Sequence, residues 1–433
     1  MSFRSSEYLQ RNELVRFQLD DVIRMPANGQ HQAKNGYRFT INDRSSFYDW
    51  YNAYFEVQFR VQTLAAGGAY ALAGGAEGTN DANKASTING SHSLINHLMI
   101  KSAGKIVYDT DNLHKVTFVK NLLEYSDDYS RSVAKDSFWY LDTSDTVNYV
   151  TATNTGNSGY NTRRVLTSRN QDVNVIIPLN RYSFFEELED KMLPGMQLQF
   201  NIELQNDGEL IYRHTDAAAG RVVINRFLLW VPKLTPKDSL FSQFVNNFMK
   251  ETKWMYLREL YQVSAPTQSS GFFQISSSID NVKAIFVYLQ RNKTNNEEEN
   301  PYIFDTYNLS GANPAVSYLT TCRLEYGNGI FYPETEYDSE SKVRIFNDLM
   351  SYAHRKNDYN TGTQLNLANY NSLYPLIYFD LSYQAEKITR DPKQLIFRYK
   401  ITGNPGGNFN VHAVVLYHEE IVIDKVGNEL VIV

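Results

Sequence analysis

The chain has 433 residues, 42 of them basic and 48 acidic, for a net charge of −6. That length fits two domains of about 200 residues, and the charge balance excludes a surface built to neutralise phosphate. Hydrophobic residues make up 42% of the chain, yet no apolar run approaches the ~20 residues that a bilayer-spanning helix requires.

The opening segment, MSFRSSEYLQRNELVR, lacks the apolar core of a secretion signal. Residues 1–25 are expected to form an N-terminal arm that reaches a neighbour or an inner layer, with completion of a sheet as the plainer reading. A first β-domain is expected over 26–234. Its strands begin with YRFTIN (37–42) and YFEVQFRVQ (54–62), where Phe55, Val57, Phe59 and Val61 alternate with polar residues as in a half-buried strand. Residues 64–90 and 141–171, rich in Gly, Ala, Thr and Asn, read as long loops free to clasp a neighbour or face outward. Between them Gly104 opens a short strand-like run, and Val116, Val119, Leu122 and Leu123 recur at the three-and-four spacing of an amphipathic helix. VNVIIPLN (173–180), PGMQLQFNI (194–202) and RFLLWV (226–231) complete the strands, and SFFEELEDKM (183–192) reads as a helix.

A domain boundary is expected between Pro232 and Lys237, followed by a linker helix over 235–252 with Asp238 as its cap. The second β-domain, 253–433, contains AIFVYLQ (284–290), a helix KVRIFNDLMSY (342–352), YPLIYFDLS (374–382), PKQLIFRYKI (392–401) and AVVLYH (413–418). Gly403 to Gly407 reads as a β-hairpin turn, and the last residues read as two strands about a turn at Lys425–Asn428.

The two halves share their order of blocks. KVTFVKNLLEY (115–125) returns about 227 positions later as KVRIFNDLMSY, with Lys115, Val116, Leu122 and Tyr125 matched by Lys342, Val343, Leu349 and Tyr352. Gln197, Leu198 and Phe200 are matched by Gln394, Leu395 and Phe397. Such a repeat defines the unit from which the fold is built. The fold expected is therefore all-β, two tandem jelly-roll sandwiches each with a short inserted helix, with Val116, Leu122, Val343 and Leu349 as buried packing residues.

Candidate chemistry is sparse. His92 and His97 are five apart with no cysteine nearby, and no GxSxG elbow, P-loop or strand-following GxGxxG occurs. Asp127-Asp128 and Glu186-Glu187 are carboxylate pairs of the kind expected by composition alone. The lone cysteine, Cys322, excludes an internal disulfide and reads as a buried bystander. No catalytic, cofactor-binding or metal residue is assigned, no cofactor is expected, and no enzymatic activity.

The stretch 91–128 resembles the signature region of the major capsid proteins of Polinton (Maverick) elements, adintoviruses and virophages, within the lineage of double jelly-roll capsid proteins. Ser93-Leu94-Ile95, Gly104-Lys105-Ile106 and Leu122-Leu123-Glu124-Tyr125 stand at the matching places, and Val173–Leu179, Arg226–Val231 and Ala413–Ile423 fall where that family carries strands. The resemblance implies a homotrimer forming a pseudo-hexameric capsomer, capsomers tiling an icosahedral shell around DNA, and penton and minor capsid proteins as further partners. It implies a place in the virion capsid after synthesis inside the host cell, with no sequence-specific contact to nucleic acid and no inner membrane predicted. The rival expectation is a secreted or virion-surface β-sandwich that binds carbohydrate or a host receptor.

Overall fold

In the computed structural model the described residues are 9–17, 21–24, 35–42, 47–64, 70–72, 85–144, 157–167, 172–189, 193–213, 220–236, 253–291, 300–307, 319–327, 329–338, 340–354, 361–382, 392–402, 409–424 and 429–432. Eight main strands form the first half: β1 (Leu9–Phe17), β2 (Asn35–Asn42), β3 (Tyr54–Leu64), β4 (Ile95–Ser102), β5 (Lys105–Thr110), β6 (Val173–Pro178), β7 (Gln197–Leu204) and β8 (Gly220–Pro236). Eight more form the second: β9 (Lys253–Ser264), β10 (Ser270–Ile279), β11 (Val282–Arg291), β12 (Leu319–Tyr326), β13 (Phe331–Asp338), β14 (Ile377–Asp380), β15 (Lys393–Ile401) and β16 (Phe409–Asp424).

In the first half the two sheets run β1-β8-β3-β6 and β2-β7-β4-β5, and in the second β9-β16-β11-β14 and β10-β15-β12-β13. Adding eight to each label of the first half gives the second, so the halves share one jelly-roll topology. All pairings are antiparallel, and the alternation read in β3 sets the pleat: Phe55, Val57, Phe59 and Val61 are buried, while Glu56, Gln58 and Arg60 are only partly so. The first core is aromatic, with Phe39, Phe55 and Phe227 within 5.8 Å of one another by ring centroid and Trp50 against Phe200 at 5.4 Å. In the second, Phe379 packs on Tyr337 and Phe397 from the opposite sheet.

The repeated helices are α1 (Leu113–Glu124) and, after a helix α2 (Ser158–Thr167) in the first half, α3 (Lys342–Tyr352). Each follows the fourth-to-fifth strand hairpin, entered through a glycine in the left-handed region, Gly104 at φ 88° and Gly329 at φ 80°.

Several expectations need correction. Within the segment expected as an arm, β1 pairs along β8 and Asp21–Arg24 pairs with β2, so these strands complete sheets. β1 holds the place in its half that β9 holds in the other, which makes it the first strand of the first barrel. The 141–171 loop contains α2, whose polar composition conceals it because its anchors are polar too: buried Arg163 donates to the Thr87 carbonyl at 3.1 Å and Thr167 to that of Ala85 at 2.9 Å. Of SFFEELEDKM only Ser183–Glu186 is helical among the described residues. The flanks of 403–407 do not pair with each other, since β15 lies in one sheet and β16 in the other, and the expected turn itself lies outside the described residues. At the C-terminus, Glu429–Ile432 (β17) does pair back on β16. The helix expected over 238–251 lies outside the described residues, and β8 runs to Pro236.

Candidate functional site: the seam between the barrels

Val116, Leu122 and Leu349 are fully buried, but Val343 is 62% exposed, contrary to expectation. The two helices share a sequence pattern but sit in different surroundings. On α1 ten residues are buried, polar ones included; on α3 only Ile345, Leu349 and Met350 are. The cause is the seam, where α1 is packed between its own barrel and the second half.

Aromatic rings fill the middle of this seam. Phe118 of α1 stacks on Tyr302 with centroids 4.0 Å apart and planes 8° off parallel, and touches Phe304 and Tyr374 at 6.1 and 6.0 Å. Such a stack contributes about 0.5–1.5 kcal/mol beyond the area it buries. His92 lies beside this stacked pair, 5.8 Å from Tyr302 and 6.3 Å from Phe118 by ring centroid, and burial, with Arg181 adding repulsion, lowers its pKa to about 3. Gly90, at φ 81°, lets this ring in: a Cβ there would fall 2.2 Å from His92 Cε1.

Polar contacts frame the rings. Gln364 Nε2 donates to the Asn121 and Leu122 carbonyls at 2.6 and 3.1 Å, capping the C-terminal turn of α1, and its Oε1 accepts from Trp139 Nε1 at 2.9 Å. Tyr302 Oη donates to the His114 carbonyl at 3.3 Å. Asp142, buried, is shared: Arg163 donates to one oxygen at 2.8 Å and Asn300 of the second half to the other at 2.8 Å. Buried charges persist when paired and hydrogen-bonded in this way.

At the edge of the seam, strand meets strand. Tyr108 of β5 donates to Glu259 of β9 at 3.0 Å; burial and that carboxylate raise the phenol's pKa well above its ordinary value, so it remains a donor. Glu259 also accepts from the Ser183 amide at 3.0 Å and lies 4.0 Å from Lys120, whose ammonium meets Glu186 at 2.7 Å. Tyr256 Oη donates to the Val107 carbonyl at 3.3 Å and Arg258 to that of Asp109 at 3.4 Å. From the far end, the Leu430 amide of β17 donates to Ser102 Oγ at 2.9 Å. A cleft of about 520 Å³ opens beside this edge, lined by Lys120, Glu124, Glu186, Lys283, Tyr352 and Asp380 among others.

The residues weighed for chemistry have structural surroundings. His97 faces Asp109 at 2.6 Å, and among the described residues no three His, Cys, Asp or Glu side chains are placed to hold a metal ion. Asp127 pairs with Arg131 at 2.8 Å and Glu186 with Lys120. Cys322 is buried, which pushes its thiol pKa up and away from nucleophilic use. Tyr302, Phe304 and Gln364, which help carry the seam, sit in connections without periodicity, so the sequence offers no signal for them beyond the aromatic character of the first two.

This architecture, two jelly rolls in one chain joined by a buried seam, is the double jelly roll found in viral major capsid proteins. A chain in the cryo-EM structure of the Sputnik virophage is similar with a TM-score of 0.58 at 10% identity, covering 100% of this chain and 92% of that one. The Faustovirus major capsid protein gives 0.55 at 9% identity, covering 98% and 93%, and the PBCV-1 protein VP54 gives 0.53 at 13% identity, covering 100% and 99%. No family model and no curated protein matches the sequence. At such identities the likeness is one of fold.

Proposed function

We propose that the chain is a viral major capsid protein, structural and not catalytic, which trimerises into pseudo-hexagonal capsomers that tile an icosahedral shell around DNA. The observation that carries this reading is the duplication itself: one topology twice, with the copies locked by a buried seam. A rigid pair of similar blocks lets a three-fold assembly present six similar faces to a hexagonal lattice, and symmetric closure favours such rings. Penton and minor capsid proteins are the further partners of such a shell. The net charge of −6 suits a protein that encloses nucleic acid without gripping its phosphates.

The test is sedimentation velocity of the purified protein, with negative-stain microscopy across a range of salt. Stable trimers, and sheets or shells of hexagonal units, are expected. A chain that stays monomeric and binds or hydrolyses sugars would sink the proposal in favour of a carbohydrate-binding β-sandwich.

A further inference from the structure

The cleft of about 520 Å³ beside the seam has the size of a small-ligand site, and its charge is uneven. Lys120, its side chain only 3% exposed, meets Glu186, and Arg181 meets Glu124, so these four charges answer one another. Beyond them Glu187, Glu189 and Asp380 bring three carboxylates to the lining against one further ammonium, that of Lys283. The local field is negative, and Lys120 reports it. Burial works against its charge, yet Glu186, Glu124 and Glu259 together hold its pKa above the usual lysine value.

Two features independent of those carboxylates act in the same direction. The C-terminal ends of both repeated helices reach the cleft, α1 through Glu124 and α3 through Ser351 and Tyr352. A helix carries partial negative charge at that end, and neither last turn holds a basic residue to answer it. The rings of Tyr352 and Tyr378 also line the space, with centroids 5.7 Å apart and planes inclined at 55°, a corner in which a cation meets π faces. Leu257 and Ala353 supply apolar wall along which an alkyl stem can lie.

We propose that this cleft binds an ammonium or guanidinium group carried on an alkyl stem, the chemistry shared by lysine and arginine side chains and by polyamines. The carboxylates of Glu189 and Asp380 attract the head group, and the apolar wall takes the stem. A basic segment of another protein and a free polyamine are the two sources of such a group. Both barrels of one chain contribute the lining, so the inference does not depend on how copies associate.

Saturation-transfer NMR and titration calorimetry of the full chain at low salt test it. The probes are N-acetyl-lysine methylamide, N-acetyl-arginine methylamide, spermidine, the capped peptide acetyl-Gly-Arg-Gly-Lys-Gly amide, and the uncharged N-acetyl-norleucine methylamide. The four cations are expected to bind saturably and more weakly as salt rises, and the norleucine probe not to bind. Asp380→Asn combined with Glu189→Gln is expected to raise the dissociation constants about tenfold with the melting temperature unchanged. Asparagine at 380 keeps an acceptor for the Ser382 amide, 2.9 Å away. Glu340→Gln, exposed beyond the opposite end of α3, changes nothing. Should the double variant fail to fold, Ser351→Lys, exposed on the last turn of α3, places an ammonium at the rim and is expected to block the cations. Spermidine binding tenfold tighter than the peptide supports the site with a polyamine as source, and the reverse supports it with a protein segment. Failure of every cation to saturate, equal binding of the norleucine probe, or cation binding that Glu340→Gln weakens as much as the cleft variants do overturns the site and leaves the capsid reading standing.

Discussion

His92 shows how the seam constrains single residues. Its ring is buried among Phe118, Trp139 and Tyr302, and its Nε2 has no hydrogen-bond partner among the described residues. Held near a pKa of about 3 by burial and by Arg181, it stays neutral in the folded state while the unfolded chain takes up a proton near pH 6.5. The sign follows directly: the unfolded state binds more protons between those values, so stability present above pH 6.5 is lost as pH falls towards 3. His92→Phe is expected to keep the stack, remove this slope and leave stability at pH 7.5 nearly unchanged. Chemical denaturation at pH 7.5, 6, 5 and 4 measures it; a slope identical in wild type and variant would refute the assignment.

Among the elements, α1 and α3 make the same point at larger scale. Their spacing marked both as amphipathic helices, and both form at the expected places. The periodicity also marked Val343 for burial, yet only its counterpart Val116 is covered, because burial on the outer side depends on a neighbour and not on the helix's own pattern. For the same reason strands with alternation or continuous apolar runs were readable, as in β3, β11 and β16. α2 was not, since its anchoring Arg163 and Thr167 are polar, and neither was the pairing of β15 and β16 into different sheets, which local patterning does not encode. Leu122→Ala is expected to destabilise by about 2–5 kcal/mol, whereas Val343→Ala should fall within about 0.5 kcal/mol of wild type. Equilibrium unfolding in guanidinium at low protein concentration, where copies are apart, distinguishes the two; equal losses would contradict the asymmetry.

For the whole molecule, the seam couples two barrels that would otherwise melt apart. Gln364, Tyr302 and Asn300 reach from the second half into α1 and Asp142 of the first, and β17 reaches back to Ser102. Calorimetry of the wild type is expected to show one transition, and Tyr302→Ala combined with Gln364→Ala to split it in two, each half keeping its own core. Two transitions in the wild type would show the seam to be a contact without coupling.

The pairing of β1 with β8, Phe17 opposite Leu229 and Leu9 opposite Pro236, also sets a timetable for making the protein. A ribosome adding 5–20 residues per second needs roughly ten to forty seconds to deliver the strand on which the first one must close. β9 waits similarly for β16. Through two successive intervals the nascent chain holds an aromatic-rich barrel open at its first strand, which makes its yield in a cell a matter of protection during translation as much as of final stability.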